Sequence, residues 1–147
     1  MYKSILVPVD GSEHSLQALR VALTLATGDQ ATVHVLHVPP WPQANDVIGA
    51  AAGAPSMDIS QDEILEAGRA LLEKMLSELP DDQRERAVPL VALGNPADTI
   101  LEAARNQRVD AIVMGSRGLG NLANMIMGSV SHKIMHAAEC PTIIVRA

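Results

Sequence analysis

Five short apolar runs rich in β-branched residues, separated by stretches of helical period, restrict this chain to few architectures. The runs are Ile5-Leu-Val-Pro-Val9, Val33-His-Val-Leu-His-Val38, Val88-Pro-Leu-Val-Ala-Leu93, Ala111-Ile-Val-Met114 and Thr142-Ile-Ile-Val145. Between them Leu16, Leu19, Leu23 and Ala26 recur at helical spacing, as do Ile64, Gly68, Leu71, Met75 and Leu79. A shorter period runs through Ile100, Ala103 and Ala104, and a fourth through Leu122, Ile126, Val130, Ile134 and Ala137. Strict alternation of strand and helix requires parallel pairing through right-handed crossovers. The nearly continuous apolar character of the strands calls for a sheet covered on both faces. The expected class is α/β, an open parallel sheet of Rossmann-like build.

Punctuation supports the division. Ser12 can cap the first helix, and Asn95-Pro96 supplies a cap and a first-turn proline for the third. Two prolines strain the reading, because each forfeits a ladder bond. Pro8 stands near the carboxyl end of its run, where pairing can be finishing, and Pro89 opens a run that tolerates it at its start or on an edge. Residues 39–60, with Pro39-Pro40-Trp41-Pro42 and then Gly and Ala repeats, are expected to form a flexible loop. Trp41 there is read as tucked against the surface rather than as a lid. Glu66, Arg69 and Glu73 mark a solvated face of the second helix.

A length of 147 residues suits a single domain, 1–147, burying about 70% of its unfolded surface. With 48% hydrophobic residues but no Phe, one Trp and one Tyr, the core must be aliphatic. The net charge of −6, with no basic stripe, argues against nucleic acid or an anionic membrane as partner. The single cysteine, Cys140, cannot close an intramolecular disulfide and is read as a buried, inert thiol. No signal-like start and no run of 18 apolar residues is found, so a cytoplasmic protein without a membrane partner is expected.

The chemistry concentrates in Gly115-Ser-Arg-Gly118, nine further residues, and Gly128-Ser129. A strand emptying into a glycine-rich loop that feeds a helix N-terminus is a cradle for phosphate. Missing Cβ atoms at Gly115, Gly118 and Gly128 would let the main chain approach an anion. Ligands of open α/β sheets bind beyond the carboxyl ends of the strands, so Asp10-Gly11-Ser12 would form the facing wall. A Walker A loop fails here, because Asn121 stands where the lysine after Gly120 is required. Gly118-Leu-Gly120-Asn-Leu-Ala123 fits the dinucleotide fingerprint, but it follows the fourth strand rather than opening a βαβ unit.

The full spacing G-x2-G-x9-G-S resembles the ATP-binding signature of the universal stress protein family, in Gly115, Gly118, Gly128 and Ser129. Lys3-Ser-Ile-Leu-Val-Pro-Val-Asp10-Gly-Ser12 is similar to that family's opening strand and acidic loop. Gly94-Asn-Pro96-Ala97 resembles its third-strand exit. Gly128-Ser-Val-Ser131 and Cys140-Pro-Thr-Ile-Ile-Val145 resemble its closing helix and strand. The resemblance spans the chain and implies five parallel strands in the order 3-2-1-4-5. It also implies ATP with Mg2+ or Mn2+ held through the phosphates, and a homodimer formed through the C-terminal strand. By position, Pro8, Val9 and Asp10 would line the nucleoside, with Val38 near the adenine. Met114, Gly115, Arg117, Gly118, Gly128, Ser129, Val130 and Ser131 would surround ribose and phosphates.

Plainer readings stand beside these. Asp10 can serve only a turn, Ser129 only a helix surface, and Arg117 only an exposed loop. His132 and His136 lack a third metal ligand and are read as surface or packing residues. His34 and His37 fall on opposite faces of their strand. Met125, Met127 and Met135 are expected to fill core or interface. Hydrolysis needs an oriented water and γ-phosphate stabilisation, and the sequence shows no convincing base. A nucleotide-dependent regulatory module is therefore favoured. A slow ATPase or an enzyme phosphorylating itself at Ser129 or Ser131 is the alternative, and a nucleotide-free dimeric scaffold is a third reading.

Overall fold

The computed structural model describes residues 1–40, 60–117 and 127–146. Strands and helices alternate as β1 (Ser4–Pro8), α1 (Glu13–Leu25), β2 (Thr32–His37), α2 (Gln61–Ser77), a single turn α3 (Asp81–Arg84), β3 (Ala87–Val91), α4 (Pro96–Asn106), β4 (Ala111–Gly115), α5 (Ser129–Ala137) and β5 (Thr142–Val145). All pairings are parallel and the order is β3-β2-β1-β4-β5, as the family resemblance implies.

Strand alternation sorts the core into two layers. Ile5, Val7, Val9, Val33, Val35 and Val113 pack with Ala18, Leu19, Ala22 and Leu23 of α1 and with Leu72, Met75 and Leu76 of α2. Leu6, Leu36, Ile112 and Met114 face Ile100, Leu101 and Ala104 of α4 and Ile134 of α5. The buried hydrophobic residues are aliphatic, Ala or Met, which is how a chain without Phe fills its interior.

Both prolines sit where the ladder does not need them. Val9 N–H donates to Leu36 O of β2, whereas Ser4 O accepts from Asp110 N–H on the β4 side. Even-numbered positions of β1 therefore face β4, and Pro8 withholds its missing donor from a side where register ends at Leu6↔Ile112. Likewise Arg86 O and Ala92 N–H bond β2, which turns Pro89 outward from edge strand β3.

The caps form as expected. Ser12 accepts from Ser15 N–H at 3.2 Å, and Asn95 accepts from Asp98 N–H at 3.2 Å. Ser60 adds a capping box with Glu63, an S-x-x-E signal that locates the start of α2. Helix α3 is too short to betray a period, and Arg84 stitches it to α2 by donating to Leu76 O and Ser77 O. Of the fourth helical stripe, Val130, Ile134 and Ala137 fall in α5, which begins at Ser129; Leu122 and Ile126 lie outside the described residues, as do Trp41 and most of the 39–60 segment.

Candidate functional site

Strands β1 and β2 stay in register to Pro8↔Leu36, but β1 and β4 part after Leu6↔Ile112. The gap at this reversal of strand order opens into a crevice of about 480 Å3. One wall carries Pro8, Val9 and Asp10 from the end of β1, and the base carries Leu36, His37 and Val38 from the end of β2. The other wall carries Met114, Gly115 and Arg117 from β4 and its exit, with Gly128, Ser129, Val130 and Ser131 at the start of α5. Every residue expected at the site thus lines one cavity, save Gly118, which lies outside the described residues. Ser15, Leu36, His37, Pro40, Pro96 and Ile100 complete the lining and were not anticipated. Ile100 carried a legible signal, its place in the helical stripe of α4. Ser15 follows directly from the cap at Ser12.

The start of α5 is held firmly. Gly128 N–H donates to Ser116 O at 2.7 Å, pinning together the two ends of the glycine loop. Ser131 Oγ, buried, donates to Gly115 O at 2.9 Å. Among the described residues no side chain caps α5, and its first residues line the crevice, so the first-turn N–H groups of this nine-residue helix have no side-chain partner there. Such a terminus carries partial positive charge and takes an anion readily.

The two described glycines of the motif differ in what they do. A Cβ on Gly115 would lie 2.9 Å from the His14 backbone, so this glycine admits the close approach of α1 to β4. Gly115 thus has a packing role in addition to its place on the crevice wall. A Cβ on Gly128 would come no nearer than 3.6 Å to Ser116 O, at an ordinary φ of −69°. Neither strain nor packing by the described residues demands glycine there, since a Cβ would meet only ordinary contacts.

Asp10 is half-buried, and its Oδ1 accepts Ser12 N–H at 2.9 Å. The turn role and a place on the crevice wall coexist in one residue. Ser15 Oγ takes Asp10 N–H at 3.3 Å and donates to Ser12 O at 2.9 Å, fixing the loop from the helix side. His37 Nδ1 lies 2.8 Å from Val9 O, and because a carbonyl only accepts, Nδ1 carries the hydrogen. That bond ties the ends of β1 and β2 across the crevice base.

The remaining candidates lie elsewhere. His34 is half-buried, and burial lowers its pKa. His132 and His136 stack edge to face at 4.5 Å on the exposed side of α5. Among the described residues no group of three or more His, Cys, Asp or Glu side chains is placed to hold a metal ion. Met135 is 45% exposed, so it is not core filler; Met125 lies outside the described residues. Cys140 is half-buried and burial raises its thiol pKa, in keeping with an unreactive sulfur.

Comparison with known proteins shows a match to the model of the universal stress protein family over residues 1–146. The chain is 36% identical over 151 residues to universal stress protein YxiE of Bacillus subtilis (strain 168), covering 99% of this chain and 100% of the relative. The solved structure of protein MJ0577, of Methanocaldococcus jannaschii, superposes with a TM-score of 0.79 at 26% identity, covering 100% and 97% of the two chains. A universal stress protein solved in complex with cAMP has a TM-score of 0.65 at 26% identity, over 98% and 97%.

Proposed function

The chain belongs to the universal stress protein family, and from that premise we propose that its crevice binds ATP as the signal of a regulatory module. The observation that carries this reading is the pairing of two unlike surfaces in one cavity. Val9, Leu36, Val38, Ile100 and Met114 offer an apolar slot suited to a base, and the uncapped start of α5 offers N–H groups to phosphate. In this reading Pro8, Val9, Asp10 and Val38 surround the nucleoside. Met114, Gly115, Arg117, Gly118, Gly128, Ser129, Val130 and Ser131 take ribose and phosphates. A divalent cation, Mg2+ or Mn2+, would enter on the phosphates and neutralise their charge. The relative solved with cAMP supports an adenine nucleotide as the ligand class.

The Ser131 hydroxyl is buried and its hydrogen is committed to Gly115 O, so it is a poor phosphoryl acceptor. That favours retention of ATP over self-modification at this serine. Calorimetric titration of Mg-ATP should saturate at one site per chain, and Gly128→Val should abolish the heat while leaving the melting temperature within a few degrees. A heatless wild-type titration, or unchanged affinity in Gly128→Val, overturns the reading. ADP release matching the amount of bound ATP on a slow time course would favour the ATPase alternative.

We also propose a homodimer through β5, in the cytoplasm. Pro141 O and Val145 O accept from β4, so strand alternation turns the backbone groups of Thr142 and Ile144 outward. All four side chains of β5 are only half-buried, unlike the fully buried β4. An apolar edge of this kind invites pairing. No described helix is long and apolar enough to cross a membrane. Light scattering should give twice the chain mass at micromolar concentration, and a monomeric mass would count against the dimer.

A further inference from the structure

A second cavity, of about 410 Å3, lies at the amino ends of β4 and β5, away from the crevice. Leu101, Ala104, Val109 and Ile112 give it an apolar lining, and Arg105, Arg108 and Glu139 are its exposed charged residues. Helix α4 terminates there in two reverse bonds, Arg108 N–H to Arg105 O at 3.1 Å and Val109 N–H to Ala104 O at 3.2 Å. This ending requires a left-handed residue just past the helix, a place that favours glycine. Arg108 fills it at φ +50°, the one non-glycine with positive φ among the described residues. Neither Arg105 nor Arg108 has an ion pair or a side-chain hydrogen bond among the described residues. The left-handed residue is held by those two backbone bonds, but no side-chain bond among the described residues explains why an arginine stands where glycine is favoured, and both arginines line the same cavity.

We propose that this cavity is a binding site for a small organic monoanion, a carboxylate carried on an apolar body. A guanidinium suits a carboxylate through two parallel hydrogen bonds, and two arginines line this cavity. The aliphatic lining suits an apolar body and gives a bare inorganic anion nothing to gain. Glu139 in the lining and Asp110, which acts on the neighbouring Cys140, offset part of the arginines' charge and so disfavour a dianion. The neutral Cys140 thiol adds a soft wall and no charge.

Hexanoate is the probe, with hexanol and inorganic phosphate as controls, read by amide chemical shifts of the full chain. Hexanoate should give saturable shifts at Arg108, Val109, Glu139 and Cys140, with none at Gly115 or Ser129. Hexanol and phosphate should each bind about tenfold more weakly or worse. Arg108→Gly is the decisive variant, because it should raise the melting temperature by removing the left-handed strain yet weaken hexanoate about tenfold or more. Arg105→Ala should weaken hexanoate similarly without the gain in stability. Linear, unsaturable shifts overturn the proposal. So does undiminished hexanoate binding in Arg108→Gly, or hexanol binding as tightly as hexanoate.

Discussion

The two ends of the sheet are built to opposite purposes. At the amino end the central strands are stitched: Asp110 Oδ2 accepts Lys3 N–H at 2.7 Å and Ser4 N–H at 2.9 Å, and Asp110 N–H returns a bond to Ser4 O at 2.7 Å. Arg86 Nη1 donates to Ala26 O at 2.9 Å, and Thr27 N–H donates to Tyr2 O at 3.0 Å. At the carboxyl end the same strands separate beyond Leu6↔Ile112, Pro8 offers β4 no donor, and the helix start facing the gap is uncapped. The difference teaches that the crevice is a designed absence of pairing, sustained by local bonds elsewhere.

Substitutions can break this contrast, beginning with the strongest. Gly115→Ala should destabilise by about 1–3 kcal/mol, because its Cβ would press on the His14 backbone where α1 meets β4. Urea unfolding measures this, and a neutral result would mean that α1 can withdraw freely. Asp110→Ala should lower the melting temperature by a few degrees, through loss of two exposed backbone bonds. Those bonds hold the Asp110 carboxyl below the ordinary carboxylate range, so its folded-state pKa is depressed. Its contribution is then complete above the unfolded pKa of about 4 and is lost as pH falls through the lower folded value. The gap between wild type and Asp110→Ala should therefore be constant near neutrality and close in acid. A gap that widened in acid would contradict the sign.

Two further substitutions beside the crevice should have smaller effects. Pro8→Ala should destabilise by about 0.4–1 kcal/mol, through greater freedom of the unfolded chain. Hydrogen exchange at Val9 N–H should stay slow, since its bond to Leu36 O does not involve position 8. Gly128→Ala should stay within about 0.5 kcal/mol of wild type, since its Cβ meets only ordinary contacts. A large loss there would mean that the glycine serves the fold and not the ligand.

Much of the fold was legible because period and punctuation are local properties. The runs at Ile5, Val33 and Thr142 announce strands, and Ser12 and Asn95 announce helix starts, without knowledge of any distant residue. Helix α3 was not legible, since four residues carry no period and its anchor is Arg84 reaching back to Leu76. The crevice wall from β1 and β4 could be read from strand exits, but His37 could not. Its part at the crevice base depends on Val9 being its neighbour across a pairing that only the sheet creates. Gly115 shows the same limit, for its missing side chain answers to α1.

What the sequence by itself determined is the alternation of strand and helix, the parallel sheet it compels, the caps, and the glycine spacing G-x2-G-x9-G-S. These depend on backbone geometry repeated over a few residues. What only the tertiary structure decided is where the sheet parts, which glycine is spent on packing, and that Arg108 and Arg105 converge on a cavity at the far end. Each of these depends on contacts between segments distant in the chain, and close packing rather than local propensity selects them.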